Sequence, residues 1–295
     1  MNSIRLRRAL YGTYLGILQN HTLLIAGGLA YSFALCIFPA LILFFALLTS
    51  LPIPDLFGPL THTMFRLLPA DTVHSFEAIL LDALRSNRRA WLSFGSLGTL
   101  WIVSATFRSL IEALDLAYEV SEERSFWKNF LVSLLLAAVT SGLLIFGLSS
   151  TLVGPHLGEW FAQETHAMHV LVVIWPALHW LASVCFVLIT VELIYFLAPN
   201  VKQRFLATLP GAALTVLCWI GLSYLLGFYF RHLANFGITY GTLAAFVVLM
   251  IWLYWNSLVL LVGAELNAEL AKESGQGAIP QNRRPDSLEE MPHAA

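Results

Sequence analysis

The sequence predicts an all-α integral membrane protein with about six transmembrane helices and an amphipathic helical first outer loop. Of its 295 residues, 58% are hydrophobic and 12% are charged, with a mean hydropathy of +0.74. An ordinary soluble domain carries about 25% charged residues and could not bury this much apolar surface. Runs long enough to cross about 30 Å of hydrocarbon occupy residues 22–50, 94–118, 129–153, 168–198, 206–230 and 239–267.

The first predicted elements are a basic amino-terminal segment, residues 1–21, and a transmembrane domain, residues 22–271. Pro39 lies inside the first span and is expected to bend it, because proline removes a backbone donor and clashes one turn back. The outer loop, residues 51–93, contains an apolar helical face over residues 73–84. That helix is expected to pack over the outer ends of the bundle, and the alternatives are a membrane-surface helix or a mobile lid. Residues 272–295 are rich in Gly, Pro and charge, which predicts a disordered cytoplasmic tail.

Lysine and arginine orient the spans, because their translocation is disfavoured. With the amino terminus inside, the inner segments contain Arg5, Arg7, Arg8, Arg124, Lys128, Lys202, Arg204, Lys272, Arg283 and Arg284. The outer segments contain Arg66, Arg85, Arg88, Arg89 and Arg231, mostly in the first loop, where length weakens the rule. Both termini are therefore predicted to be cytoplasmic.

Several function classes are not indicated. A net charge of −2 gives no basic field for nucleic acid. The three cysteines lie in apolar runs without CxxC spacing, and no nearby Cys or carboxylate pattern completes a zinc site with His166, His169 and the neighbouring His156, so neither a metal nor a cofactor is predicted. GxSxG, P-loop and HExxH motifs do not occur, so the sequence does not predict an enzyme. Homo-oligomerisation stays open, since Gly12 to Gly16 and Gly237 to Gly241 match GxxxG.

A polar stripe marks the second span. At about 100° per residue, one narrow arc contains Trp101, Ser104, Arg108, Glu112, Asp115 and Glu119. A lone charge at mid-bilayer costs about 2.5–3.5 kcal/mol on insertion scales, so such residues normally face a bundle interior or a wet cavity. Arg108 and Glu112, one turn apart, form the nearest available ion pair.

The predicted topology places several polar residues in the cytoplasmic half of the membrane. The second, fourth and sixth spans run inward, so residues late in each span lie near the cytoplasm. The sequence thus predicts a polar cavity open to the cytoplasm, with a substrate-binding set of Ser104, Arg108, Glu112, Asp115, Glu192, Glu265 and Asn267. The alternative is that these charges hold the helices in register, with some at the headgroup boundary.

Three blocks resemble the YihY/BrkB family of bacterial inner-membrane proteins. They read GGLAYSFALCIFPALILFFALL from Gly27, LAPNVKQRFLATLPGAALTVLCW from Leu197 and YGTLAAFVVLMIWLYWNSLVLLVGAELNAEL from Tyr240. The first block departs from the family, which more often has Ala and a double Tyr where this chain has GGLAYSFAL. The positions that match the family motifs are Pro39, Pro199, Asn200, Pro210, Gly211, Tyr240, Gly241, Trp252 and Gly263.

The resemblance implies six helices in a bacterial inner membrane with cytoplasmic ends. Members have been labelled as a ribonuclease and as virulence factors, and have been linked to movement of lipids or lipid-linked material. RNA cleavage disagrees with carboxylates that lie in spans. The leading hypothesis is a translocator of an anionic lipid-like substrate that enters from the cytoplasmic leaflet, where Arg108 meets the headgroup. Membrane lipids and a lipid-linked substrate are the expected partners. The alternatives are a non-transporting scaffold or envelope-assembly partner, and a small-ion channel.

Overall fold

Helices account for the regular structure of the part of the chain that the structure describes. The computed structural model describes residues 3–50, 88–143, 168–232 and 241–274. The helices are α1 (Ser3–Gln19), α2 (Thr22–Ser50), α3 (Arg88–Ala117), α4 (Phe126–Leu143), α5 (Met168–Leu197), α6 (Leu209–His232) and α7 (Gly241–Glu273), with a short 3-10 turn at Phe205–Ala207. The predicted all-α class is confirmed.

Five of these helices contain segments long and apolar enough to cross a membrane: Leu97–Ala117, Phe126–Leu143, Ala177–Leu197, Leu209–Tyr229 and Phe246–Glu273. Arg7–Gln19 and Thr22–Ile37 pass the same test together and meet at a bend of 67°. The described residues therefore contain five candidate spans, or six if the bent pair is one span. This agrees with the six predicted from the sequence and with a multi-pass membrane protein.

The chain divides into two compact units. The larger unit contains Met1–Tyr31 and Phe107–Ala295, and the smaller contains Ser32–Thr106. Within the larger unit, α6 packs against both α5 and α7, and α1 packs against α7. Within the smaller unit, the Thr106 hydroxyl donates to the Ser32 carbonyl over 3.2 Å. Each unit thus connects helices that are distant in sequence.

The basic amino-terminal segment, for which the sequence predicts no span, forms helix α1. Ala9, Thr13 and Gly16 are buried at helical spacing, so one face of α1 is packed. A Cβ atom at Gly12 would overlap the Glu269 side chain, and one at Gly16 would meet the Glu265 carboxylate. The Gly12–Gly16 match to GxxxG therefore provides a close contact between α1 and α7 within one chain.

Two helix ends depend on a non-glycine residue in the left-handed region. His21, with φ of 51°, lies between α1 and α2, and its carbonyl accepts the first backbone bonds of α2 from Leu24 and Ile25. Glu119, with φ of 55°, ends α3 in a Schellman motif, in which Val120 N–H donates to Asp115 O and Glu119 N–H donates to Leu116 O. Both residues turn the chain sharply after a helix.

Three predictions fall outside the described residues: the amphipathic helix at 73–84, the surroundings of Tyr240 and most of the tail. The tail was predicted to start at residue 272, but α7 continues through Lys272 to Glu273. The added turn is stabilised by ion pairs of 2.8 Å from Lys272 Nζ to Glu119 and Glu269. Helix α7 therefore continues past the end of the apolar pattern from which the start of the tail was predicted.

Candidate functional site

Three carboxylates are buried at one end of the larger unit. We call this end the junction end. Residues 118–125 connect α3 to α4 there, and residues 198–208 connect α5 to α6. Asp115, Glu192 and Glu265 are each only 2% exposed there. Carboxylates are rarely this buried without hydrogen-bond partners. Their partners therefore indicate what the cluster does.

Asp115 binds the α5–α6 junction. Its Oδ1 accepts the backbone N–H of Asn200 over 2.6 Å, and Asn200 Nδ2 in turn donates to the Ser121 carbonyl over 3.4 Å. Asn200 is itself buried. The Pro-Asn pair of the second family block thus lies where two interhelical junctions meet.

Arg124 reinforces the same contact from the α3–α4 junction. Its Nη1 donates to the Ala198 carbonyl over 3.0 Å and its Nη2 to the Pro199 carbonyl over 3.1 Å. The Arg124 side chain is 5% exposed and lies 3.6 Å from Glu122. One guanidinium fork therefore satisfies two carbonyls at the end of α5.

Glu192 and Asn267 organise the start of α6. Glu192 Oε1 accepts the Thr208 hydroxyl over 2.6 Å. Asn267 Nδ2 donates to the Thr208 carbonyl, and its Oδ1 accepts the Gly211 backbone N–H, both over 2.8 Å. The first backbone donors of a helix have no partner within it, so Asn267 caps α6 from α7.

The helices α6 and α7 approach closely beside this cap. A Cβ atom at Gly211 would overlap the Gly263 carbonyl, and one at Gly263 would overlap the Thr215 and Tyr195 hydroxyls. Tyr195 Oη lies 2.6 Å from Thr215 Oγ1 and also donates to the Leu260 carbonyl over 2.6 Å. Two glycines of the family blocks thus make room for a buried link from α5 to α6 and α7.

Glu265 binds the turn between α1 and α2. Its Oε1 accepts Asn20 Nδ2 over 2.9 Å and the Thr22 hydroxyl over 3.3 Å. The other predicted acids do not share this contact. The predicted set therefore divides into a group around Asn200 and Thr208 and a separate Glu265 site.

The polar stripe of α3 lies along the border of that helix's packed face. Ser104 and Asp115, on one edge of the arc, are buried, whereas Trp101, Glu112 and Glu119, on the other edge, are exposed. Arg108 lies between them and is half-buried, with its guanidinium 5.2 Å from the centre of the Phe126 ring. Glu112 therefore faces outward rather than into the bundle. We call this border of α3 the rim.

The remaining motif residues have varied positions. Pro39 lies within the continuous helix α2, Pro210 and Gly241 lie at the starts of α6 and α7, and Trp252 is 38% exposed. The described residues contain no group of three His, Cys, Asp or Glu side chains placed to hold a metal ion. His166 lies outside those residues.

Two of the residues that organise the site, Arg124 and Phe126, belong to no motif in the sequence. Arg124 was counted only as a charge that orients the spans, because its carbonyl partners leave no side-chain pattern to detect. Phe126 was included in no motif, although it carries the Arg108 contact. The one sequence feature that could have indicated them is a basic residue, Arg124, shortly before the aromatic pair Phe126 and Trp127.

A family model described as Virulence factor BrkB matches residues 13–287. The chain belongs to the BrkB family. The resemblance predicted from the three sequence blocks is thereby confirmed.

Individual relatives agree with this assignment. The chain is 32% identical over 246 residues to the ribonuclease-like protein YfkH of Bacillus subtilis, which covers 83% of this chain and 88% of YfkH. It is 24% identical to UPF0761 membrane proteins of Xanthomonas campestris, covering 90% of this chain, and of Pseudoalteromonas atlantica, covering 82%. The match covers 62% of the Xanthomonas relative and 78% of the Pseudoalteromonas relative. No solved structure matches the chain.

Proposed function

We propose that this BrkB-family protein moves an anionic lipid-like substrate between the leaflets of a bacterial inner membrane, and that Arg108 contacts the headgroup. The observation that carries the proposal is the half-buried Arg108 guanidinium on the ring of Phe126 at the rim of α3. A guanidinium binds phosphate or carboxylate through two parallel hydrogen bonds, which suits an anionic headgroup. Membrane lipids are the proposed partners, and both termini are proposed to be cytoplasmic.

The position of Arg108 favours a headgroup contact. Arg108 precedes the end of α3 at Ala117 by nine residues, or about 13 Å of helix. Its guanidinium nevertheless reaches Phe126, the first residue of α4 at the junction end, and Phe126 is 50% exposed. A long side chain that starts deep and ends near an exposed aromatic residue places its charge toward the membrane boundary.

The surroundings favour a path along the rim. The accepting oxygens of Asp115, Glu192 and Glu265 already bind groups of the helix junctions. Arg108 is half-buried and Glu112 is exposed, and both lie at the edge of the packed face of α3. In our proposal, the headgroup enters from the cytoplasmic side, meets Arg108 at the rim and keeps its acyl chains in lipid.

A non-transporting scaffold is the second candidate. It is favoured by the same buried hydrogen bonds, because they hold junctions together whether or not anything moves. An enzymatic role in RNA cleavage is not proposed, since the three buried acids are each 2% exposed and a polyanion could not reach them.

Reconstituted protein tests the proposal. The variants Arg108→Ala and Arg108→Lys are compared with the wild type in proteoliposomes that carry a fluorescent anionic lipid or a zwitterionic one. Arg204→Ala, which removes an exposed arginine outside the rim, is the matched control. We expect Arg108→Ala to slow anionic lipid movement by about tenfold or more, Arg108→Lys to retain part of the rate and Arg204→Ala to resemble the wild type. Wild-type vesicles that move neither lipid faster than empty vesicles would favour the scaffold.

A further inference from the structure

We propose that α1 is an interfacial helix whose outward face binds an anionic lipid surface. This inference does not depend on lipid movement at Arg108. It concerns where α1 lies and what covers the side of it that the protein leaves exposed.

Helix α1 has two unlike faces. Its inner face consists of Ala9, Gly12, Thr13 and Gly16 and packs against α7. Its outer face, on the opposite side at about 100° per residue, is apolar and aromatic. The residues of that face are between 51% and 66% exposed: Leu10, Tyr11, Tyr14 and Leu18. A contiguous apolar face of this kind is covered by lipid or by another protein.

The bend between α1 and α2 favours lipid at the membrane surface. The axes of Arg7–Gln19 and Thr22–Ile37 differ by 67°. Helix α2 has 29 residues, or about 43 Å, and can cross the roughly 30 Å of hydrocarbon without α1. Helix α1 is therefore free to run along the bilayer.

The contact with α7 sets the depth of α1. Gly12 and Gly16 face Glu269 and Glu265, which lie in the last three turns of α7. Helix α7 has 33 residues, or about 50 Å, and so extends beyond the hydrocarbon. A helix that packs against the charged end of a long span lies at the level of the headgroups.

Charge favours an anionic leaflet. Arg7 and Arg8 are both exposed near the start of α1, and Tyr11 and Tyr14 have the amphipathic rings that are enriched at membrane boundaries. Basic residues beside an apolar helical face bind anionic lipid by combined burial and attraction. An anionic leaflet would pair with both arginines, so their exposure does not require a second copy of the chain.

Spin labels on the full-length protein test this placement. Single cysteines replace Tyr14 on the outer face or Gln19 on the exposed flank, in a variant without Cys36, Cys185 and Cys218. The protein is placed in nanodiscs of phosphatidylcholine with or without phosphatidylglycerol. In anionic discs we expect the label at 14 to lie about 5–10 Å below the phosphates, relaxed by oxygen and protected from a water-soluble nickel complex. The label at 19 should show the reverse.

Three results would overturn the proposal. Equal nickel access at 14 and 19 would place the outer face in water. Protection of 14 from both reagents, with a short dipolar distance between two copies, would show that a second chain covers it. The third result is a membrane depth of the label at 14 that is the same with and without phosphatidylglycerol, and the same in the double variant Arg7→Gln and Arg8→Gln. That result would exclude anionic recognition. None of these measurements requires lipid movement, so their failure is distinct from failure of the translocation proposal.

Discussion

The buried carboxylates of the junction end and the Arg108 guanidinium differ in what surrounds them. Asp115, Glu192 and Glu265 each accept hydrogen bonds from a junction or turn, and they are almost completely buried. Arg108 lies half-buried at the rim of α3 against an exposed ring. The three acids thus bond to groups of the helix junctions and of the α1–α2 turn, whereas the Arg108 guanidinium lies beside an aromatic ring.

Physical cost explains the difference. A carboxylate taken out of water is costly unless its oxygens are hydrogen-bonded, and each buried acid accepts such a bond: Asp115 from a backbone N–H, Glu192 from a hydroxyl, and Glu265 from an amide and a hydroxyl. A long arginine can instead keep its stem in the apolar region while its head reaches the boundary. Substitutions separate the two regions by how much each lowers the free energy of unfolding.

The largest effect is expected where α6 meets α7. Gly211→Leu places a side chain on the Gly263 backbone carbonyl, which cannot move aside, so we expect no stably folded protein. Gly221→Leu is the matched control, because nothing lies within 4 Å of a Cβ atom there. Size-exclusion chromatography and thermal unfolding in detergent make the comparison. Equal stability of the two variants would mean that the close contact does not hold the junction end.

A smaller loss is expected at Arg124. Arg124→Ala removes the donors to the Ala198 and Pro199 carbonyls, and we expect the free energy of unfolding to fall by about 2–4 kcal/mol. The exposed Arg204, changed to Ala, controls for loss of one positive charge. Chemical denaturation in detergent measures both. A loss at Arg204 as large as that at Arg124 would point to net charge rather than to the junction contact.

The smallest loss of stability is expected when Glu265 loses its charge but keeps its shape. Glu265→Gln keeps an oxygen for Asn20 and Thr22, so we expect stability within about 1 kcal/mol of the wild type, whereas Glu265→Ala should cost about 1–3 kcal/mol. The same denaturation experiment compares them. If Gln is as harmful as Ala, the negative charge itself is required, and the acids would no longer be a purely structural group.

The sequence predicts the spans, whereas the contacts of the polar residues depend on how the helices pack. Apolar length identified the helices, and the 100° period grouped Ser104, Arg108 and Asp115 correctly on one side of α3. Periodicity alone could not tell which edge of that arc is packed, so Glu112 was expected inside, although it is exposed. Arg124 binds carbonyls 74 and 75 residues away, a contact that no residue pattern encodes. Helix α1 was missed because its packed face consists of small residues, which give a weak apolar signal.

The rate of anionic lipid movement per folded protein tests the central distinction most directly, with Glu192→Gln and Arg108→Ala compared in the same vesicles. Glu192→Gln keeps the oxygen that binds Thr208, and Oε2 has no partner in the described part of the chain to lose. We predict that its rate stays within about twofold of the wild type, whereas Arg108→Ala loses about tenfold or more. Full movement by folded Arg108→Ala, or complete loss in folded Glu192→Gln, would contradict the account.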